Sequence, residues 1–169
     1  MKNYKRLKAN KTTIYSVVIL LTSMFLLSCD KNMNTINFDN IPQSLPQSPN
    51  YAVATTESLS AFSSQSEIIN THIFPYPAKE LAKQIKEIIL IQPRTTLIYE
   101  DVQQYEFQFK QTTKWLKFPD WIDLKVIEID PDTSSFIMIS RSQYGHYDFG
   151  ENKRRLKQWV KLIEDKLLK

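Results

Sequence analysis

The stretch Ile122-Asp-Leu-Lys-Val-Ile-Glu-Ile-Asp-Pro-Asp-Thr-Ser-Ser-Phe-Ile-Met-Ile139 contains the pattern that decides the fold. Its first half alternates apolar and polar residues, as a half-buried strand does. Asp130-Pro131-Asp132 then supplies turn residues. The apolar run Phe136–Ile139 follows directly. We therefore predict a β-hairpin over residues 122–139.

Two further strands are predicted before this hairpin. Thr95–Tyr99 is β-branched and apolar, and residues 105–110 alternate aromatic with polar side chains. Residues 51–67 are small and polar, which predicts mostly loop with at most one short edge strand.

Amphipathic helices flank the predicted strands. Pro77 begins the first helix and Pro93 ends it, with apolar residues at helical spacing between them (Ala78, Leu81, Ala82, Ile85, Ile88 and Ile89). Lys153–Lys169 forms the second, with one apolar face (Leu156, Trp159, Val160, Ile163 and Leu167). This order predicts an α+β fold, a two-layer domain. An antiparallel sheet of about four strands is covered by the two helices, with the C-terminal helix packed on the sheet.

The amino-acid composition excludes several classes of functional site. The 169 residues leave room for one domain. With two glycines, one cysteine and two histidines, the chain lacks the residues for a Gly-rich phosphate loop, a structural zinc site or an intrachain disulfide. We expect no cofactor, no metal and no complete catalytic set.

The positive net charge is confined to the N-terminus. The formal charge is +4, but residues 1–28 carry five basic side chains and no acidic one, which leaves 17 basic and 18 acidic residues from Cys29 onward. A nearly neutral domain has no electrostatic footprint for phosphate backbones, so we expect no nucleic-acid partner.

Residues 1–28 have the form of a lipoprotein signal peptide. A basic segment precedes an apolar run that ends in Leu26-Leu27-Ser28-Cys29. This ending resembles the bacterial lipobox, in which the cysteine thiol takes a diacylglycerol chain, the peptide before it is removed and the new amino group is acylated. The alternative is an uncleaved membrane anchor with an incidental cysteine.

The proposed lipid anchor determines the domain boundaries and the location that we predict for the rest of the chain. We divide it into a lipidated N-terminus with a flexible tether, residues 29–49, and a single domain, residues 50–169. We expect the domain in the cell envelope, outside the cytoplasm and on the periplasmic side if the bacterium is Gram-negative. Asp30 resembles an enterobacterial inner-membrane retention signal, but the choice between inner and outer membrane stays open.

The densest group of polar residues lies in the segment Ser140–Arg155, which contains both glycines. We expect Asn152 to cap the last helix, and Arg141, Arg154 and Arg155 to offer a site for a carboxylate or phosphate. His146 is a candidate for proton transfer. The interpretation that we favour for this segment is structural: the acids and amides bond the loop, and the basic run is a solvated helix face.

The segment resembles the C-terminal signature of the domain-of-unknown-function 1499 family. Five residues carry the pattern G-x-x-D-x-G-x-N-x-x-R (Gly145, Asp148, Gly150, Asn152 and Arg155), and two serines precede it (Ser140 and Ser142). Phe118-Pro119-Asp120 and Pro49-Asn50 resemble two shorter family motifs. The resemblance implies that residues from about 49 to 167 form one domain, that many relatives are lipoproteins, and that no activity is established.

The chain departs from the family pattern at four positions. Tyr51 replaces a cysteine, Trp121 an aspartate, and Ile139 and Gln143 arginines, while Arg141 lies between the serines. If the family binds an anion through those arginines, this member has rearranged the site or lost it.

Three functional hypotheses remain open. The first is a non-catalytic envelope module that binds another envelope component or a small anionic or amphiphilic ligand. The second is an enzyme that uses Asp120, Asp148 and His146. The third is an assembly subunit with an exposed patch near Trp115 and Trp121, although those aromatic residues equally suit the core. If Asp148, Arg141 and Arg155 converge on a pocket, a ligand or an enzyme is favoured; if Asp148 is sealed by loop bonds, its role is structural.

Overall fold

A six-stranded sheet organises the domain. The computed structural model describes residues 35–56, 68–114, 117–145 and 148–168. The strands are β1 (Tyr51–Thr55), β2 (Ile68–Asn70), β3 (Thr95–Asp101), β4 (Glu106–Thr112), β5 (Pro119–Asp130) and β6 (Thr133–Ser142), in the order β2-β1-β6-β5-β4-β3. The helices are α1 (Ile41–Ser44), α2 (Ala78–Leu90) and α3 (Glu151–Leu167), with a 3-10 turn at Phe38–Asn40 before α1.

The predicted four-stranded antiparallel sheet with two helices is wrong, although the fold is still α+β. The sheet has six strands and is mixed, because β1 and β2 run parallel, with Val53 opposite Ile68. The predicted hairpin matches β5 and β6, and the two strands predicted before it match β3 and β4. A third helix, α1, lies in a segment for which no helix was predicted.

Strands β1 and β2 have weak sequence signals for physical reasons. Four of the five β1 residues, Ala52 to Thr55, are buried, so the alternation that identifies a half-exposed strand is missing. Two of them, Ala52 and Ala54, are alanines, which strands disfavour. Strand β2 has only three residues. Strand β1 falls in the stretch 51–67 that was predicted to be mostly loop, and β2 begins directly after that stretch.

Helices α2 and α3 cover one face of the sheet, the inner face. The apolar stripes of both helices are buried there, with Leu81 and Ile85 from α2 and Leu156 and Ile163 from α3 fully enclosed. They pack on inward side chains of the strands (Ala52, Ala54, Phe107, Phe109, Ile122, Leu124, Val126, Phe136 and Met138). The C-terminal helix therefore packs on the sheet, and its first turns lie against the start of β5 and the end of β6.

The opposite, outer face is also partly covered. Ile36 and Ile41 are buried against Val53, Ile137 and Ile139 on this face. Residues from Thr35 onward, within the predicted tether, thus form part of the packed structure. No helix within the described ranges combines the length and apolar character needed to cross a membrane.

We predict that the outer-face packing of α1 is essential for stability. Replacing Ile41, which is 3% exposed, with alanine should lower the free energy of unfolding by about 2–4 kcal/mol, because it leaves a cavity. The exposed neighbour Gln43→Ala should change it by less than about 0.5 kcal/mol. Urea denaturation of the full chain measures both. Equal stability of the two variants would show that this segment is only a tether.

Candidate functional site

A pocket of about 870 Å³ lies at one end of the sheet. Its walls come from the end of β4, the start of β5, the end of β6 and the first turns of α3. Asp120, Ser142, Gly145, Asp148 and Arg155, all part of the predicted motif, line it. The antiparallel order of β4, β5 and β6 explains this convergence, because it brings the end of β4 and β6 beside the beginning of β5.

A buried ion pair joins β5 to α3 beside this pocket. Arg155 Nη2 donates to Asp120 Oδ2, and the two side chains are 6% and 5% exposed. Arg155 Nε also donates to Gln111 Oε1 at 2.6 Å. Breaking a buried pair from one side is costly because an uncompensated charge remains. The pair therefore fixes the first turns of α3 to the sheet.

Asn152 and Ser140 complete the network around Arg155. Arg155 Nη1 donates to Ser140 Oγ at 2.7 Å and to Asn152 Oδ1 at 2.8 Å, and Ser140 Oγ donates to Asn152 Oδ1 at 2.7 Å. Asn152 Nδ2 donates to the Asn50 carbonyl at 2.8 Å and to Ser142 Oγ at 3.1 Å. The guanidinium group of Arg155 is thus occupied by protein acceptors, which argues against its use as an anion-binding fork.

Asp148 caps helix α3. Its Oδ1 accepts the Gly150 N–H at 3.0 Å and its Oδ2 accepts the Asn152 N–H at 2.8 Å. The helix begins at Glu151, so Asn152 lies inside it, and the prediction that Asn152 is the cap is wrong. Gly150 has φ 79°, and Gly145, whose carbonyl accepts from Asn50 Nδ2 at 2.6 Å, has φ 88°. A left-handed backbone at these turns explains both glycines.

Arg141 lies on the outer face, away from the pocket. Successive residues of a strand point to opposite faces, so Arg141 faces away from Ser140 and Ser142. Its Nε donates to Asp123 Oδ2 at 3.0 Å, and Gln108 Nε2 donates to Asp123 Oδ1 at 2.8 Å. Burial raises the pKa of Asp123, although Arg141 and Gln108 act to lower it. The predicted convergence of Asp148, Arg141 and Arg155 therefore includes only Asp148 and Arg155.

Cationic side chains surround the mouth of the pocket. Arg94, Lys114 and Arg154 line it, and all three are exposed. Arg154 Nη2 pairs with Glu151 Oε2 at 2.5 Å, and this hydrogen bond lowers the pKa of Glu151 and raises that of Arg154. An anionic group at the mouth would meet positive charge. At the floor of the pocket, by contrast, Asp120 neutralises the positive charge of Arg155.

Several residues of interest either lie outside the described part of the chain or lie away from the pocket. Cys29, Trp115 and His146 lie outside the described residues. Trp121 is half-buried on β5 next to Asp120, and it faces the outer side of the sheet. His72 is exposed and its Nδ1 lies 2.7 Å from Glu164 Oε1. Within the described residues, no group of three or more potential ligands could hold a metal ion.

Sequence reasoning missed two residues of the network. Gln111 continues the inward positions Phe107 and Phe109 of β4, so the same alternation would have placed it on the inner face beside Arg155. Asn50 belongs to the short Pro49-Asn50 motif, but nothing in that motif indicates that its carbonyl meets α3.

A family model supports the resemblance. The model described as "Protein of unknown function (DUF1499)" matches residues 43–163. The chain belongs to this family. The matched range begins within α1 and includes every residue of the buried network. None of the curated proteins matches the chain.

Three solved structures show partial similarity. Ara h 8.0201 shares 13% identity, covering 57% of this chain and 93% of its own, with a TM-score of 0.43. The di-domain ARO/CYC BexL from the BE-7585A biosynthetic pathway shares 10% sequence identity. The match covers 56% of this chain and 43% of that chain, with a TM-score of 0.42. A Thermobifida fusca protein whose structure was solved by NMR shares 10% sequence identity. The match covers 57% of this chain and 84% of that chain, with a TM-score of 0.38. Similarity at this level supports no argument about function.

We predict strong energetic coupling between Asp120 and Arg155. Arg155→Met should cost about 3–5 kcal/mol of unfolding free energy, because it leaves the Asp120 carboxylate buried without its partner. The double variant Asp120→Ala, Arg155→Met should cost clearly less than the sum of the single variants. Urea denaturation of the four proteins gives the coupling energy. Additive losses would contradict the role of this pair.

We also predict that Asp148 acts as a helix cap. Asp148→Ala should lower the unfolding free energy by about 1–2 kcal/mol, because two N–H groups lose their acceptor. Asp148→Asn should lose less, since its amide oxygen still accepts one of them. Thermal unfolding compares the two variants. An Asp148→Ala protein as stable as the wild type would refute the capping role.

Proposed function

We propose that the protein is a non-catalytic binding domain of the bacterial cell envelope, anchored to the membrane through lipid on Cys29. Its ligand is a small amphiphilic molecule with an anionic group, and the site is the pocket between the sheet end and α3. The domain lies outside the cytoplasm, on the periplasmic side in a Gram-negative cell. The lipobox and the apolar run before it support the anchor.

The observation that carries the binding proposal is the pocket itself. Its volume of about 870 Å³ is within the range of small-molecule sites, roughly 300–1,000 Å³. Phe118, Pro119 and Trp159 supply apolar lining for the hydrocarbon part of a ligand. Arg94 and Arg154 stand at the mouth, where the anionic part would lie.

The buried ion pair supports binding rather than acid–base catalysis. Two carboxylates would be needed for such catalysis, and Asp120 and Asp148 are the matched pair in the family motif. Arg155 engages Asp120, and backbone N–H groups engage Asp148. Neither carboxylate is available to move a proton to or from a substrate without loss of a structural bond. The enzyme hypothesis is therefore disfavoured.

We test the proposal with hexyl phosphate, a soluble probe that combines a short alkyl chain with an anion. Ligand binding raises the melting temperature by mass action, with about 1.4 kcal/mol expected near tenfold excess over Kd. In a domain of this size that corresponds to roughly 3–5 °C. Hexanol and inorganic phosphate, which each supply half of the probe, should raise it less. The measurement is thermal unfolding of the full chain in a nonionic detergent.

A matched pair of variants locates the binding. Gln158 is exposed and lines the pocket, whereas the adjacent Lys157 is exposed and does not line it. Gln158→Trp should abolish the shift caused by hexyl phosphate by blocking the mouth, and Lys157→Trp should keep it. Equal shifts in both variants would place binding elsewhere and overturn the proposal.

A further inference from the structure

Exposed aromatic side chains surround the pocket mouth. Phe118, Tyr144 and Phe149 are 49%, 60% and 97% exposed, and all three line the pocket. Phe118 and Tyr144 contact each other edge to face, with ring centroids 6.3 Å apart. We call these three residues the aromatic rim. Packing within the described part of the domain does not explain them, because large apolar side chains gain stability only when they are removed from water.

The backbone beneath the rim is strained. Phe149 has φ 54°, a conformation that a bulky side chain rarely adopts, and Gly150 with φ 79° follows it. Arg94 (φ 59°) and Lys117 (φ 57°) are also left-handed at this end of the sheet. Strain of this kind persists where the surrounding structure enforces it, and it is concentrated at functional sites. At position 149 a glycine would fit the backbone better than phenylalanine.

The surroundings of the rim are positively charged. Among the described residues at this end, four exposed cations (Arg94, Lys114, Lys117 and Arg154) outnumber the two carboxylates that are not buried (Asp148 and Glu151). The chain from Cys29 onward has 17 basic and 18 acidic residues, so this excess is local. Aromatic residues combined with basic residues are typical of surfaces that lie at a membrane interface with anionic lipid.

Covalent geometry limits how far the domain can lie from a lipidated Cys29. Six residue steps connect Cys29 with Thr35, and an extended chain spans at most about 3.6 Å per step, or roughly 22 Å. The Ile36 N–H bonds Asp123 Oδ1, four residues along β5 from Pro119 at the pocket end. Four strand residues measure about 13 Å. A lipid anchor at Cys29 would therefore keep the rim within reach of the bilayer.

We propose that the aromatic rim docks on the surface of a bilayer containing anionic lipids, so that the pocket mouth opens toward the membrane. Phe149 and Tyr144 enter the interfacial region, and the surrounding cations contact lipid headgroups. The inference uses the proposed anchor for proximity only. It does not depend on whether the pocket binds hexyl phosphate, which is measured without a bilayer.

The test places a fluorescent probe at the rim of the full chain. The thiol of a lipidated Cys29, the one cysteine of the chain, is blocked by its diacylglycerol group, so Cys29 is kept and an NBD dye is attached at Phe149→Cys or, as a control, at Asp132→Cys in the β5–β6 turn at the opposite sheet end. The chains are reconstituted into nanodiscs of phosphatidylcholine with phosphatidylglycerol. Doxyl-labelled lipid should quench the dye at 149 by roughly twofold or more and leave the dye at 132 unquenched.

A second set of variants separates docking from stability. The dye is placed at exposed Gln143, and Phe149 is changed to Gly or Trp in that background. Phe149→Gly should keep or raise the melting temperature, because glycine suits the positive φ, yet it should remove most of the quenching at 143. Phe149→Trp should retain the quenching.

Three results would overturn the proposal. The first is a dye at 149 that is unquenched, as expected if the rim binds a protein instead. The second is equal quenching at 149 and 132. The third is equal quenching in nanodiscs of phosphatidylcholine alone, which would remove the role of anionic lipid. A loss of hexyl phosphate binding leaves the outcome of this experiment unaffected, so failure of either proposal is recognised separately.

Discussion

The buried pair of Asp120 and Arg155 is the interaction on which the pocket end of the domain depends. It connects the first residues of β5 to the second turn of α3, and Arg155 also binds β4 through Gln111 and β6 through Ser140. Four elements thus meet at one guanidinium group. Since a buried charge without its partner is costly, the sheet end and the helix must form together. The signature is therefore first a structural motif, and its spacing places a helix cap, an ion pair and two turns in register.

The Asp120–Arg155 ion pair and its hydrogen-bond partners also determine the shape of the pocket beside them. Arg155 and Asn152 hold α3 against β6 through Ser140, while Asp148, which lines the pocket, accepts N–H groups at the start of the helix. The cationic side chains that could bind an anion lie at the mouth of the pocket, where Arg94 and Arg154 are exposed. A neutral floor, an aromatic wall and a basic mouth suit an amphiphilic molecule better than a compact phosphate. The aromatic rim extends this polarity to the outside of the domain.

The hydrophobic periodicity of the sequence predicted those helices and strands that bury one side and expose the other. Helices α2 and α3 and parts of strands β3 to β5 leave one side at least partly exposed, so their alternation was visible in the sequence, whereas β6 is buried on both faces and was recognised from its apolar run Phe136–Ile139. Strand β1 is covered on both faces, so its pattern was not visible, and without it the sheet order and the parallel pair with β2 could not be derived. Alternation along β5 likewise gives no sign that Asp123 is buried, because the segment from Ile36 onward that contacts it is distant in sequence. Sequence spacing identified the motif at the pocket, but only the strand faces showed that Arg141 is excluded from it.

The central claim is that the pocket holds a small amphiphilic ligand in an anchored protein. Native mass spectrometry of the full-length protein, extracted gently from the membranes of its own host, tests it most directly. Our account predicts a chain that begins at an acylated Cys29 and carries a small-molecule adduct, released on activation as an anion with an alkyl or aromatic part. A chain that retains residues 1–28, or an acylated chain that carries no small molecule, would contradict the account.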